Sequence, residues 1–464
     1  MKNIGFFLFY LVIVSCTPKI EVYHPTEKSN YNIVLNLDGC PGKTVYLSKL
    51  YADKNIKLDS AIVSFGKPIV WTFTNKNSIG VYQILIGNNE DFISFVFEKE
   101  DVSIHAKYPN IGATLKISDS EYSKILHETW KLQAHTQKRI QTLMNSFKIH
   151  KPDDVNYKQA ENQYFELMDS IESHYLHIKQ KFGNSFTSRF LFFTKELTPD
   201  YKLNDSSRIV YMRLHALDSV SFGDTSLMNS VAFPNKILEY LSYYRQSSFT
   251  SDEQENQFIA ASEIIIEKCK KFPVVYDFAV RYILQGFEQL KLEKAITVLG
   301  QKYLPEMSCT NEQIKNDLEA KVKDYQMFTI GNIAPPLKFK TLENKMLDIN
   351  QMTNDKLVIV FWASWCPHCK ETLRTLKQMY EERKSNWEVI AISIDTEHEK
   401  HLNTIKEEKY NWIQSAEYKG WDGKAPKAFG IYATPTIFVL DKARKIISKP
   451  QNSKDLKAID SLLN

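Results

Sequence analysis

The chain of 464 residues is 43% hydrophobic and carries 59 basic against 55 acidic side chains, a formal net charge of +4. That length exceeds what one hydrophobic core serves, so two to four domains are expected. The near balance of charge leaves no extended basic or acidic field, which excludes nucleic acid as the expected partner.

The chain begins M-K-N-I-G-F-F-L-F-Y-L-V-I-V-S-C, one lysine ahead of an apolar run from Ile4 to Val14. The run is shorter than the ~18 apolar residues of a membrane span and reads as the core of a signal peptide, residues 1–15. Its end, I-V-S-C, resembles the lipobox of bacterial lipoproteins. That resemblance implies lipidation of Cys16, with an anchor and linker over 16–29. An ordinary signal peptide or a buried first helix is the rival reading. Thr17 stands where an inner-membrane retention signal has Asp, so inner and outer membrane both stay open. No later segment has membrane length, and the rest of the chain is expected outside the cytoplasm, lipid-anchored in the cell envelope and facing the periplasm.

Residues 30–115 read as a small antiparallel β-sandwich-like domain. Tyr31, Ile33, Leu35 and Leu37 alternate, the turn G-C-P-G follows, and the runs K-T-V-Y-L, V-Y-Q-I-L-I, F-I-S-F-V-F and V-S-I-H-A are separated by G-N-N-E-D and E-K-E-D. The layout, with D-S-A at Asp59–Ala61, resembles the uncharacterised β-domain at the front of envelope thioredoxin-like lipoproteins.

Over 116–326 the period becomes helical. Tyr164, Met168, Ile171, Tyr175, Ile178 and Phe182 draw one stripe, and Ile140, Leu143, Met144 and Phe147 another. Such aromatic stripes are core far more often than partner grooves. His174 and His177 lie three apart with no third ligand in sight and read as solvated. Nothing in this region or the β domain names a chemistry; recognition of a substrate, spacing from the membrane and dimerisation are all open roles.

Residues 327–464 begin near I-G-N-I-A-P-P and turn α/β, with apolar runs at 357–361, in W-E-V-I-A-I-S-I-D, and in T-I-F-V-L-D, separated by helical patterns. The first run leads into W-A-S-W-C-P-H-C-K-E. A strand feeding a helix leaves unpaired N–H groups at the helix start, and Cys366 stands there, so its thiolate is favoured over the ordinary thiol of pKa about 8.5. Pro367 suits the first turn, His368 adds a donor beside the sulfur, and Trp362 and Trp365 flank the site, either limiting solvent access or serving packing alone. Cys369, one turn on, is within disulfide reach and expected deeper, so Cys366 attacks and Cys369 resolves. A zinc site would want two more ligands, and there is no second C-x-x-C.

T-P-T at Thr434–Thr436 precedes the last apolar strand. Strand, W-C-x-x-C, helix and a later T-P-T strand together resemble the thioredoxin fold. The resemblance implies a cis Pro435 facing the disulfide and a substrate cleft shaped by Thr434 and Pro435. The lead-in, F-W-A-S-W-C and the 69-residue gap from Cys366 to Pro435 resemble the TlpA/ResA branch of thiol-disulfide oxidoreductases, with an extra strand and helix in the gap. The branch's glutamate and proline after the second cysteine are replaced by Thr372 and Arg374. Glu371 is rotated about 100° from the first of these, and Val360 stands where thioredoxin has its buried acid, so the acid-base partner of Cys369 is unassigned.

The reading is a multidomain thiol-disulfide oxidoreductase that reduces protein disulfides, its redox-active disulfide the only cofactor. It implies protein or small thiol and disulfide substrates and an upstream thiol-disulfide donor or acceptor. The P-H dipeptide resembles that of oxidising DsbA proteins and argues the opposite direction; Thr434 before the proline is commoner in reductases and isomerases. A copper- or zinc-handling protein using the thiolates with His398 and His401 is a further alternative, although T-E-H-E-K-H reads as a solvated helix face. A peroxidase lacks its P-x-x-x-T/S-x-x-C loop here. Of the remaining cysteines, Cys40, Cys269 and Cys309, either Cys269 and Cys309 form a structural disulfide within one domain or they stay as buried free thiols.

Overall fold

The computed structural model describes residues 22–88, 91–308, 312–383 and 385–463; the signal-peptide stretch, Cys16 and Cys309 lie outside them. The chain forms two compact units, one ending at Ile283 and the next beginning at Leu284. No described helix is long and apolar enough to cross a membrane.

The first unit opens with β1 (Asn30–Asp38), β2 (Thr44–Tyr51), β3 (Lys54–Ile62), β4 (Ile69–Thr74), β5 (Gly80–Ile86), β6 (Asp91–Phe97), β7 (Val102–Lys107), the short helix α1 (Ile111–Thr114) and β8 (Lys116–Ser118). They form two four-stranded sheets, ordered β4-β1-β7-β8 and β3-β2-β5-β6. Alternate residues of β1, Tyr31, Ile33 and Leu35, are fully buried and meet Val45, Leu47, Ile84 and Phe95 of the other sheet in one core. The domain is not wholly antiparallel: β1 pairs antiparallel with β4 but parallel with β7. No hairpin links β1 to β7, so no tight turn imposes their relative direction. In the G-C-P-G turn Gly39 has φ +86°, and a Cβ there would stand 2.5 Å from the Tyr108 carbonyl oxygen.

Seven longer helices follow: α2 (Glu121–Ile149), α3 (Val155–Phe182), α4 (Phe186–Phe193), α5 (Asp205–His215), α6 (Ala232–Ser242), α7 (Ser251–Cys269) and α8 (Pro273–Gln289). The stripes at 140–147 and 164–171 face each other in one cluster with Tyr201. Residues read as a turn, E-K-E, anchor two of these helices. Buried Glu98 accepts from the N–H groups of Phe186 and Thr187 at 2.6 and 2.9 Å and from the Thr187 hydroxyl at 2.7 Å, at the start of α4. Glu100 accepts from the Ser120 hydroxyl at 2.6 Å and the Tyr122 N–H at 3.2 Å, at the start of α2. A carboxylate at a helix N-terminus meets both unpaired donors and the positive end of the dipole. His174 is half-buried rather than solvated: its Nε2 lies 2.8 Å from the Thr129 hydroxyl, and burial lowers its pKa.

The unit boundary falls inside α8, so the helical region is not one body. Its last helices, α9 (Glu293–Tyr303) and α10 (Glu312–Met327), belong to the second unit. They pack closely because Gly300 faces Val322; a Cβ there would stand 2.3 Å from a Val322 methyl. A small hairpin of β9 (Lys338–Lys340) and β10 (Met346–Asp348) leads into β11 (Lys356–Trp362), α11 (Pro367–Glu381), β12 (Trp387–Ser393), α12 (His398–Glu408), β13 (Ile413–Ala416), α13 (Lys424–Ala428), β14 (Thr436–Leu440), β15 (Ile446–Ser448), α14 (Ser453–Ala458) and α15 (Asp460–Leu463). The sheet order is β13-β12-β11-β14-β15, parallel across β11, β12 and β13 and antiparallel at β14 and β15. Central β11 is apolar throughout because both its faces are covered: Val358, Val360 and Trp362 enter one core, Leu357, Ile359 and Phe361 the other. This is a thioredoxin-like fold, with α12 and β13 lying between the C-x-x-C helix and the T-P-T strand.

Candidate active site

The end of β11 and the start of α11 carry the cysteines. Cys366 is the N-cap of α11, its Sγ accepting from the Cys369 N–H at 3.2 Å. A hydrogen bond and a helix N-terminus at one sulfur both favour its thiolate. Cys366 and Cys369 are joined as a disulfide with Cα atoms 5.3 Å apart. Cys366 keeps 5% exposure and Cys369 none, so an incoming sulfur meets Cys366. Pro367 and His368 are exposed in the first turn.

Opposite the disulfide runs the loop before β14. The Thr434–Pro435 bond is cis, and the Thr434 carbonyl oxygen stands 3.5 Å from Cys366 Sγ. Trp365 is 59% exposed on the open side, whereas Trp362 is wholly buried. The two tryptophans therefore do not flank the site alike: Trp362 is core, and only Trp365 offers a face to a substrate.

The sequence reading missed the support beneath this loop. Asp395, just past β12 and 2% exposed, accepts from the Ser364 N–H at 3.0 Å, the Ser364 hydroxyl at 2.7 Å and the Ser393 hydroxyl at 2.6 Å. The Ile394 N–H donates to the Trp362 carbonyl at 2.9 Å. A buried carboxylate thus holds the backbone two residues before Cys366. The polar S-I-D ending an apolar strand was the available hint. Only the register, Trp362 opposite Ser393, places it against the W-A-S-W loop.

The histidine reading also needs correction. His398 is exposed, but His401 is wholly buried, its ring 5.4 Å from Trp362 and its Nδ1 3.1 Å from the Tyr418 hydroxyl. Burial drives its pKa down to about 4, so it is a neutral core histidine. The amphipathic helix turns it inward while Glu397, His398, Glu399 and Lys400 face solvent. Among the described residues no group of three or more His, Cys, Asp or Glu side chains is placed to hold a metal ion. Thr372 is buried on α11, Glu371 is exposed, and Arg374 is exposed in an ion pair with Glu408 at 2.7 Å. Cys40 and Cys269 are buried free thiols, Cys269 with a pKa pushed up to about 12 by burial.

A strand-to-helix disulfide facing a cis-proline loop defines the thioredoxin-like class. The comparisons narrow it: residues 330–449 match the AhpC/TSA family model. A thiol-disulfide oxidoreductase ResA of Bacillus thuringiensis subsp. konkukian (strain 97-27) is 24% identical over 135 residues, 29% of this chain and 76% of the relative. One of Bacillus cereus is 25% identical over 130 residues, 27% of this chain and 72% of the relative. Among solved structures, a thiol-disulfide oxidoreductase from Bacteroides fragilis NCTC 9343 aligns at 25% identity and TM-score 0.27, over 29% of this chain and 100% of its own. The protein is an enzyme of the thioredoxin-like thiol-disulfide oxidoreductases.

Proposed function

We propose that this enzyme works in the cell envelope, lipid-anchored through Cys16 and facing the periplasm, and reduces protein disulfides with electrons from an upstream thiol-disulfide donor. The observation that carries the chemistry is Cys366 Sγ at the mouth of the site, hydrogen-bonded by the Cys369 N–H and opposed by the Thr434 carbonyl. In the reduced enzyme the Cys366 thiolate attacks one sulfur of the substrate disulfide. That bond breaks, the departing substrate sulfur leaves as a thiolate and takes a proton, and a mixed disulfide remains. Cys369, deprotonated, then attacks Cys366 Sγ, releasing the second substrate thiolate and closing the enzyme disulfide. Two electrons pass to the substrate, and the donor dithiol restores them. The backbone of the Thr434–Pro435 loop, leading into β14, offers a substrate chain an edge beside the sulfur.

The direction rests on Thr434 before the proline and on the resemblance to the TlpA/ResA branch; the P-H dipeptide favours the opposite one, because a stabilised thiolate makes the couple a stronger oxidant. Equilibrating the Cys366–Cys369 couple of the full chain against a thiol buffer tests the choice. A reductase is expected near about −270 mV or lower, whereas a value near about −120 mV would make the protein an oxidant of the DsbA kind. Cys369→Ser should accumulate substrates linked to Cys366; equal trapping by Cys366→Ser would contradict the roles. Metabolic lipid labelling that survives Cys16→Ser would sink the anchor.

A further inference from the structure

Beside the cis-proline loop lies a cavity of about 320 Å³ that the disulfide chemistry does not use. Pro435 and Thr436 form one wall, one residue from the carbonyl that touches Cys366 Sγ. Phe429, Tyr432 and Phe438 continue it, and Tyr325 and Phe328 close it from the end of α10 and just beyond. The Tyr325 and Tyr432 rings meet edge to face at 6.0 Å. The charges on its rim are largely neutralised in pairs, Lys321 with Glu288 at 2.6 Å and Lys449 with Glu293. What is left to a ligand is mainly aromatic and aliphatic surface, in a volume at the lower end of small-molecule sites and ample for one large side chain. Tyr325 and Phe328 precede residue 330, where the family match begins.

We propose that this cavity is a specificity subsite that takes an aromatic or large aliphatic side chain of the substrate polypeptide, close in sequence to the cysteine under attack. The proposal rests on the oxidoreductase reading and gives it a substrate class. A chain lying along Thr434 and Pro435 to reach Cys366 passes the mouth of the cavity within one or two residues, because successive residues of an extended chain advance about 3.3 Å. Burying a phenyl ring there favours that substrate, and specificity of this kind appears in kcat/KM.

The test uses the full chain and a set of disulfide-linked octapeptides, identical except that Phe or Ser occupies each position within two residues of the cysteine. At one position or more, Phe should raise kcat/KM about tenfold over Ser, a ratio within the reach of one apolar pocket. The exposed Tyr432 is then changed, Tyr432→Ser, and the Phe/Ser ratio should fall toward one. Ratios within twofold at every position overturn the subsite, as does a strong preference that Tyr432→Ser and Tyr325→Ala both leave unaltered. Glutathione disulfide, which carries no such side chain, separates the two levels. If neither it nor any peptide is reduced, the oxidoreductase reading falls; if it is reduced and the peptides show no preference, only the subsite falls.

Discussion

Both units bury carboxylates against backbone N–H groups, with different consequences. In the first, Glu98 and Glu100 sit at the starts of α4 and α2 and tie the β-sandwich to its helices. In the second, Asp395 holds the Ser364 N–H and hydroxyl beneath the loop that presents Cys366. The local physics is the same, an acceptor meeting donors that would otherwise be buried unpaired. A buried carboxylate therefore does not mark chemistry; what it holds does. Glu98 holds helix ends, and Asp395 holds a nucleophile's approach.

The cysteines give that contrast its largest expected effect. Cys366→Ser should abolish dithiol turnover, while Cys269→Ser, at a buried thiol of the first unit, should leave kcat/KM within about twofold, because a buried thiol with a raised pKa supplies no thiolate. Steady-state reduction of a disulfide peptide by the two variants measures this directly. Comparable losses would mean that the first unit takes part in the chemistry.

The carboxylates come next. Asp395→Ala should slow turnover by about 10- to 100-fold, as misplacing a reacting group does, and should shift the pH profile of Cys366 alkylation. Asp395→Asn, which retains an acceptor for the Ser364 N–H, should recover much of the rate. Glu98→Ala should instead cost about 1–3 kcal/mol in denaturant unfolding and leave the turnover of folded protein unchanged. If Asp395→Ala lowers stability alone, with the alkylation profile unmoved, the two carboxylates are equivalent.

The histidines give the smallest effect. With its folded pKa near 4 and its unfolded value near 6.5, His401 stays neutral in the folded protein where the unfolded chain is protonated. Its contribution is fully present above about pH 6.5 and is lost as pH falls toward 4, by about 3 kcal/mol in all. His401→Phe should flatten this part of the stability profile of the second unit. His174, half-buried with its pKa lowered in the same direction, should give a weaker version in the first.

How much of this was legible depended on range along the chain. The alternation of β1, the facing stripes of α2 and α3 and the W-C-P-H-C junction are local patterns, and a period of two or 3.6 residues specifies them without any partner. The parallel pairing of β1 with β7 was not legible, because no short turn encodes it. Nor was the grouping of α9 and α10 with the α/β domain, which depends on long-range contacts such as Tyr325 with Tyr432 and Glu293 with Lys449.

The same line divides the site. By itself the sequence determined the two cysteines and their order at a helix start, because a redox pair one turn apart is a local arrangement, whereas the T-P-T strand opposite followed only from the resemblance to the thioredoxin fold. Tertiary structure alone decided that S-I-D lies beneath the loop, that His401 turns inward against Trp362, and that Tyr325 walls a cavity beside Pro435. Asp395, His401 and Tyr325 stand far along the chain from the groups they serve, and their roles come from strand register and helix rotation, which no short stretch of chain contains.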